Sequence, residues 1–174
     1  MNRSILIALA IVCMTSGPLG GQTTYPFIAE LRQNWGFVKN NNLRQAERMP
    51  EEHYSFRPAA GIRSFAEAIA HLSDLQALSC SMVNGESNVV DAKSKTTKAD
   101  LVAALKASYA ICDAAFDALT DAGASQMVRL GQSTRERSKL GLLAGVISHS
   151  NEQYGYMAVY LRLKGIVPPS SDGQ

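Results

Sequence analysis

The stretch Arg63-Ser64-Phe65-Ala66-Glu67-Ala68-Ile69-Ala70-His71-Leu72-Ser73-Asp74 decides the fold class. Ser64 followed three residues later by Glu67 is a capping box: the serine oxygen accepts from the third amide of the helix while the glutamate reaches back to the serine amide. Behind this start, Phe65, Ile69, Leu72, Leu75 and Met82 recur at helical spacing and form one apolar stripe. Asn84-Gly85 closes the segment, because glycine accepts the left-handed conformation that terminates a helix.

The same pattern repeats to either side. Phe27, Ile28, Leu31, Trp35 and Val38 predict a helix from Tyr25 to about Ala46, ended by Met49-Pro50, and residues 51–62, with Pro58 and Gly61, form an ordered connection. After a polar loop over 86–97, Thr97-Lys98-Ala99-Asp100 opens a third helix, buried through Leu101, Leu105, Ala115, Phe116 and Leu119. Residues 126–131 suggest a short extended piece, too small to build a sheet. Ser133-Thr134-Arg135-Glu136 reads as another capping box and predicts a long fourth helix to about Lys164, stopped by Gly165 and Pro168-Pro169. Gly141 and Gly145 inside it imply close packing, since each glycine costs a helix about 1 kcal/mol against alanine. Four amphipathic helices without a strand pattern predict an all-α four-helix bundle, and the loop lengths call for at least one long crossover.

The 174 residues suit one domain, and 46% hydrophobic with 18% charged residues is a globular composition. A net charge of +2 without a Lys/Arg block argues against a nucleic-acid partner. Arg3, the apolar run Ile5 to Met14 and the breakers Ser16, Gly17, Pro18, Gly20 and Gly21 form a secretory signal pattern. That run is far short of the roughly 20 residues that span a bilayer. The expected organisation is a signal peptide over 1–21, a bundle over 22–170 and a disordered tail over 171–174. The protein is then secreted or periplasmic, with no membrane span after cleavage. Lipid attachment at Cys13 is disfavoured, because Val12 is not the small residue such sites need. Cys80 and Cys112 each fall inside a predicted helix. A bridge demands a close backbone match, so two half-buried thiols are expected, and no Cys-x-x-Cys pair suggests a thiolate metal site.

Three histidines are candidates for chemistry: His53, His71 and His149. His53 falls in a connection and is expected at the surface. His71 lies on the second helix and His149 mid-way along the fourth, with Gln153 four residues on and on the same face, and Glu152 bordering it. Residue chemistry alone favours hydrogen-bonded core imidazoles over metal ligands. Asp74, three residues after His71, reads as a solvated carboxylate or a partner to the imidazole.

Two further motifs change that weighing. Tyr54-Ser55-Phe56-Arg57-Pro58 with the stretch over 63–74, and His149-Ser150-Asn151-Glu152-Gln153-Tyr154-Gly155 with Tyr160 to Ser170, resemble the opening and closing signatures of the DinB/YfiT-like family. The resemblance spans the expected mature chain in order and spacing. It implies a four-helix bundle, often dimeric, with a divalent metal (zinc or nickel) on three histidines, two of them spaced His-x-x-x-His. His71 and His149 match two positions; Gln153 stands at the third. An amide oxygen suits hard ions and is a poorer zinc or nickel ligand than imidazole. The expectation is a weakened site, an altered metal or none. The resemblance also implies a metal-dependent hydrolase or transferase acting on an unknown small molecule, with Glu152 a candidate base and Tyr156 and Tyr160 lining a pocket by the metal. The alternative is a non-catalytic bundle that binds a ligand or partner through a degraded site.

Overall fold

A computed structural model describes residues 27–131 and 134–172. The expected signal peptide and its cleavage point lie outside the described residues. Four helices carry the fold: α1 (Phe27–Arg48), α2 (Phe65–Asn84), α3 (Lys98–Ala118) and α4 (Lys139–Leu163). Helix α2 packs against α3 and α4, and α1 packs against the same two, so α1 and α2 occupy opposite corners. The connection over 49–64 therefore crosses the bundle, which is the expected crossover. Phe65, Ile69, Leu72, Leu101, Leu105, Leu143, Met157 and Leu161 are fully buried at the centre.

The capping box of α2 forms as read: Ser64 Oγ accepts from the Glu67 amide at 3.2 Å, and Glu67 Oε2 accepts from the Ser64 amide at 2.8 Å. Arg57 donates to Glu67 Oε1 at 2.8 Å and to the Ile62 carbonyl, which ties the crossover to the helix start. At the other end Gly85 adopts φ 74°, and the Glu86 amide donates to the Ser81 carbonyl at 2.9 Å. Thr97 caps α3 through the Asp100 amide at 3.1 Å. Arg32 of α1 donates to the carbonyls of Phe116, Asp117 and Leu119, satisfying acceptors left open at the end of α3. Among the described residues no helix is long and apolar enough to cross a membrane.

The structure corrects five expectations. First, the fourth helix starts at Lys139, not in the Ser133 box. Ser138 caps it, its Oγ accepting from the Gly141 amide at 3.1 Å. Second, Glu136–Ser138 (β2) pairs antiparallel with Met127–Arg129 (β1), so the extended piece does find a partner. Ser133 lies outside the described residues; Glu136, the other end of the expected box, is a strand residue. Third, Cys80 and Cys112 are bridged, with Cα atoms 5.0 Å apart. Their positions lie on the facing sides of α2 and α3, within the distance a disulfide requires. Fourth, Leu75 is 38% exposed, and buried Gln76 takes the inward place instead. Fifth, Ser171 and Asp172, the described part of the expected tail, are held in place. A short turn over Pro169–Ser171 leads to Asp172, which Arg48 grips at 2.7 and 2.9 Å with Arg44 beside it. The helix glycines also have close neighbours, though not another helix. A Cβ at Gly145 would stand 3.4 Å from Arg137 Nη1, and one at Gly141 would meet Ser138 Oγ at 3.0 Å.

Gln76 explains its burial. Its Nε2 donates to Ser108 Oγ at 2.6 Å, and its Oε1 accepts from Ser150 Oγ at 3.4 Å. Asn42 donates to the Ser150 carbonyl at 3.1 Å, and Gln45 donates to Asn42 Oδ1 at 3.1 Å. A polar layer thus crosses all four helices inside the core, with nearly every member bonded, as buried polar groups must be.

Candidate functional site

His71 leaves α2 two turns after its cap, anchored by fully buried Ile69 and Leu72 on either side. His149 leaves the middle of α4 next to Ser150, which the polar layer holds in place. The two rings converge edge to face, with planes at 76° and centroids 5.1 Å apart. Their Nε2 atoms stand 3.2 Å from each other. That distance admits two arrangements. One imidazole donates its N–H to the other, or both lone pairs point at one cation. Two nitrogen ligands of a tetrahedral zinc-sized ion lie about 3.3 Å apart, so the separation by itself matches either arrangement.

Both rings are biased toward the neutral form. Burial lowers the pKa of His71, and the charge of Arg63 lowers it further against the opposing pull of Asp74 and Glu152. Burial also lowers His149, joined by His71 and Arg63 and opposed by Glu152. A neutral imidazole is the form that ligates a metal.

The remaining predicted residues are arranged around this pair unequally. Gln153, one turn beyond His149, is buried at 5% exposure. It lines a cleft of about 620 Å³ together with Tyr156, Tyr160, Ile62, Val159 and Arg63. Tyr160 is fixed there by donating to the Arg63 carbonyl at 2.6 Å. His71 opens instead to a second cleft of about 560 Å³, shared with Arg63, Asp74, Leu78 and Val90. Asp74 lines this cleft, but its carboxylate accepts from the amides of Ala92 at 2.6 Å and Lys93 at 3.1 Å. It fixes the loop between α2 and α3 and is hydrogen-bonded rather than merely solvated. Glu152 faces solvent and accepts from the Tyr156 hydroxyl at 2.9 Å. His53 lies in the turn Glu51–His53, outside the pair.

Among the described residues no group of three or more His, Cys, Asp or Glu is placed to hold a metal ion. Gln153 follows His149 by one helical turn, but it lines the cleft that contains neither imidazole. Sequence reasoning missed Arg63 and the Gln76–Ser108–Ser150 layer. Arg63 precedes the cap and carries no spacing signal, and buried glutamine looks like any polar helix residue until its partners are known.

The model of the DinB superfamily matches residues 38–157. Among solved structures, a DinB-like protein from Bacillus cereus superposes with a TM-score of 0.69 at 19% identity, covering 82% of this chain and 95% of that one. A DinB-like protein from Bacillus subtilis gives 0.63 at 21% identity, with 78% and 92% covered. A member assigned to the DinB family from Exiguobacterium sibiricum gives 0.60 at 19%, with 83% and 95% covered. None of the curated proteins is similar enough to match. At these identities the solved structures establish the shared bundle, and the superfamily match extends over most of the described helices. The chain belongs to the DinB superfamily.

Proposed function

We propose that this protein is an exported metal-dependent hydrolase or transferase whose divalent cation is held by His71, His149 and Gln153. The observation that carries this reading is the convergence of two imidazoles, Nε2 to Nε2, at 3.2 Å from distant parts of the chain. A bound cation would supply Lewis acidity, lowering the pKa of a water or thiol nucleophile. The protein's own part is to orient and to move a proton. The polar layer holds His149 in register through Ser150. Glu152, at the solvent edge, is the group available to take a proton, and the Tyr156 hydroxyl positions it. Gln153 shifts the preference of the site away from zinc and nickel toward harder ions, and weakens it overall.

Export is supported by the signal pattern of the first residues and by the Cys80–Cys112 bridge, which suits an oxidising compartment. The family resemblance supports a homodimer. A second reading, a bundle that binds a ligand without catalysis, is favoured by one observation. Among the described residues no carboxylate, thiolate or third imidazole completes the site.

Metal analysis of protein purified without an affinity tag separates the two. The catalytic reading expects stoichiometric divalent metal in the wild type and its loss in both His71→Ala and His149→Ala. Wild-type protein that stays metal-free when offered zinc, nickel, manganese or magnesium rejects it, and leaves the 3.2 Å contact as a hydrogen bond.

A further inference from the structure

Arg63 lines two clefts, one that it shares with His71 and one that it shares with Gln153, Tyr156 and Tyr160. Most arginines near this end are consumed by structure: Arg48 holds Asp172 and the Val167 carbonyl, and Arg57 holds Glu67 and the Ile62 carbonyl. The Arg63 guanidinium has no hydrogen-bond or ion-pair partner among the described residues, although its main chain is pinned by the Tyr160 hydroxyl at 2.6 Å. The nearby carboxylates are committed elsewhere, Glu67 to Arg57 and the Ser64 amide, Asp74 to the amides of Ala92 and Lys93. A planar fork of five donors, fixed at its base and unbonded at its tip, is the natural receptor for a carboxylate.

The cleft beyond it is of the opposite character. Ile62 is 46% exposed and Val159 52% exposed, both facing the same space as the Tyr160 ring. Water there meets hydrocarbon, so an apolar body that fills the space is favoured by removing that surface from solvent. The volume of about 620 Å³ is in the range of small-molecule sites.

We propose that the ligand of this site is a small organic carboxylate with an apolar body, its charged end bound by Arg63 and its body seated between Ile62, Val159 and Tyr160. This names the substrate class of the centre proposed above and rests on that reading only for what the imidazoles do next to the bound anion. Anion selection itself needs no metal. Arg63 is thus a specificity residue.

The test uses the full chain, treated with a chelator, and two probes of one skeleton: hexanoate and the neutral hexanamide, titrated by calorimetry with amide chemical shifts mapping the site. Wild type binds hexanoate roughly tenfold tighter than hexanamide, as expected for one charge-assisted pair. Arg63→Gln removes the preference, Arg63→Lys keeps part of it, and the double variant Lys93→Gln/Lys95→Gln on the far rim leaves it intact. Equal binding of both probes to the wild type overturns the proposal, as does a preference that survives in Arg63→Gln or that vanishes with the two lysines. His71→Ala must retain the preference. If it does while no metal binds, the catalytic reading fails alone. If Arg63→Gln still takes up metal and wild type shows no preference, the anion reading fails alone.

Discussion

Reducing the Cys80–Cys112 bridge is the sharpest test of how this bundle is held together. The bridge closes a loop with a sequence separation of 32. Loop-closure entropy for that length is about 12 cal/mol/K, which at 25 °C amounts to about 3.7 kcal/mol of stability. Two effects modify the figure. Residual α2–α3 contacts in the unfolded chain reduce it, because part of the constraint is already present there. Two thiols in the space of one bridge increase it, because both sulfurs are fully buried and the core must yield to separate them. A loss of about 3–4 kcal/mol in a domain of this size lowers the melting temperature by roughly 7–15 °C. The assay is thermal unfolding followed by circular dichroism, with and without a phosphine reductant, on the wild type and on Cys80→Ala/Cys112→Ala. The wild type should lose stability on reduction, and the double variant should be insensitive to the reductant. Thiol titration of the unfolded, unreduced full chain should find Cys13 alone out of three cysteines. Oxidised and reduced wild type melting within about 2 °C of each other, or a count of three thiols, refutes the reasoning.

Three more outcomes follow from the same contacts. Gln153→His should tighten zinc binding by roughly tenfold or more, since imidazole replaces an amide; unchanged affinity in a competition titration means residue 153 does not ligate. Gln76→Leu should cost about 1–3 kcal/mol in urea unfolding by leaving the Ser150 hydroxyl without its acceptor and the Ser108 oxygen without its donor, and the triple variant with Ser108→Ala and Ser150→Ala should recover most of it. An equally unstable triple variant would show that packing, not hydrogen bonding, dominates. Asp172 is held at a pKa of about 2, chiefly by the hydrogen bond from Arg48, against an ordinary value of 3.8. Its folded pKa is depressed, so its stabilisation is complete above about pH 4 and is lost as pH falls toward 2. The melting-temperature gap between wild type and Asp172→Asn should therefore shrink across that window; a gap constant from pH 6 to pH 2 removes Asp172 from the account.

Much of the bundle was legible in the chain. Ser64 with Glu67, Thr97 with Asp100, and Gly85 and Gly165 mark helix ends through contacts three or four residues long, which need no distant partner. The apolar recurrence of Phe65, Ile69 and Leu72 is equally local. His71, His149 and Gln153 stood out because they fall on helix faces within family-like motifs, not because their spacing alone implies a site.

The remainder belongs to tertiary structure. Local pattern could not choose between the Ser133 box and Ser138, because the choice depends on whether β1 offers β2 a partner. It could not bury Gln76 rather than Leu75, because the gain comes from hydroxyls on α3 and α4. Nor could it pair Cys80 with Cys112, bring two imidazoles 78 residues apart to 3.2 Å, or leave Arg63 unpaired between two clefts. Periodicity and capping fix directions along one helix, whereas distances between helices are set by how their side chains interlock, and chemistry is decided by those distances.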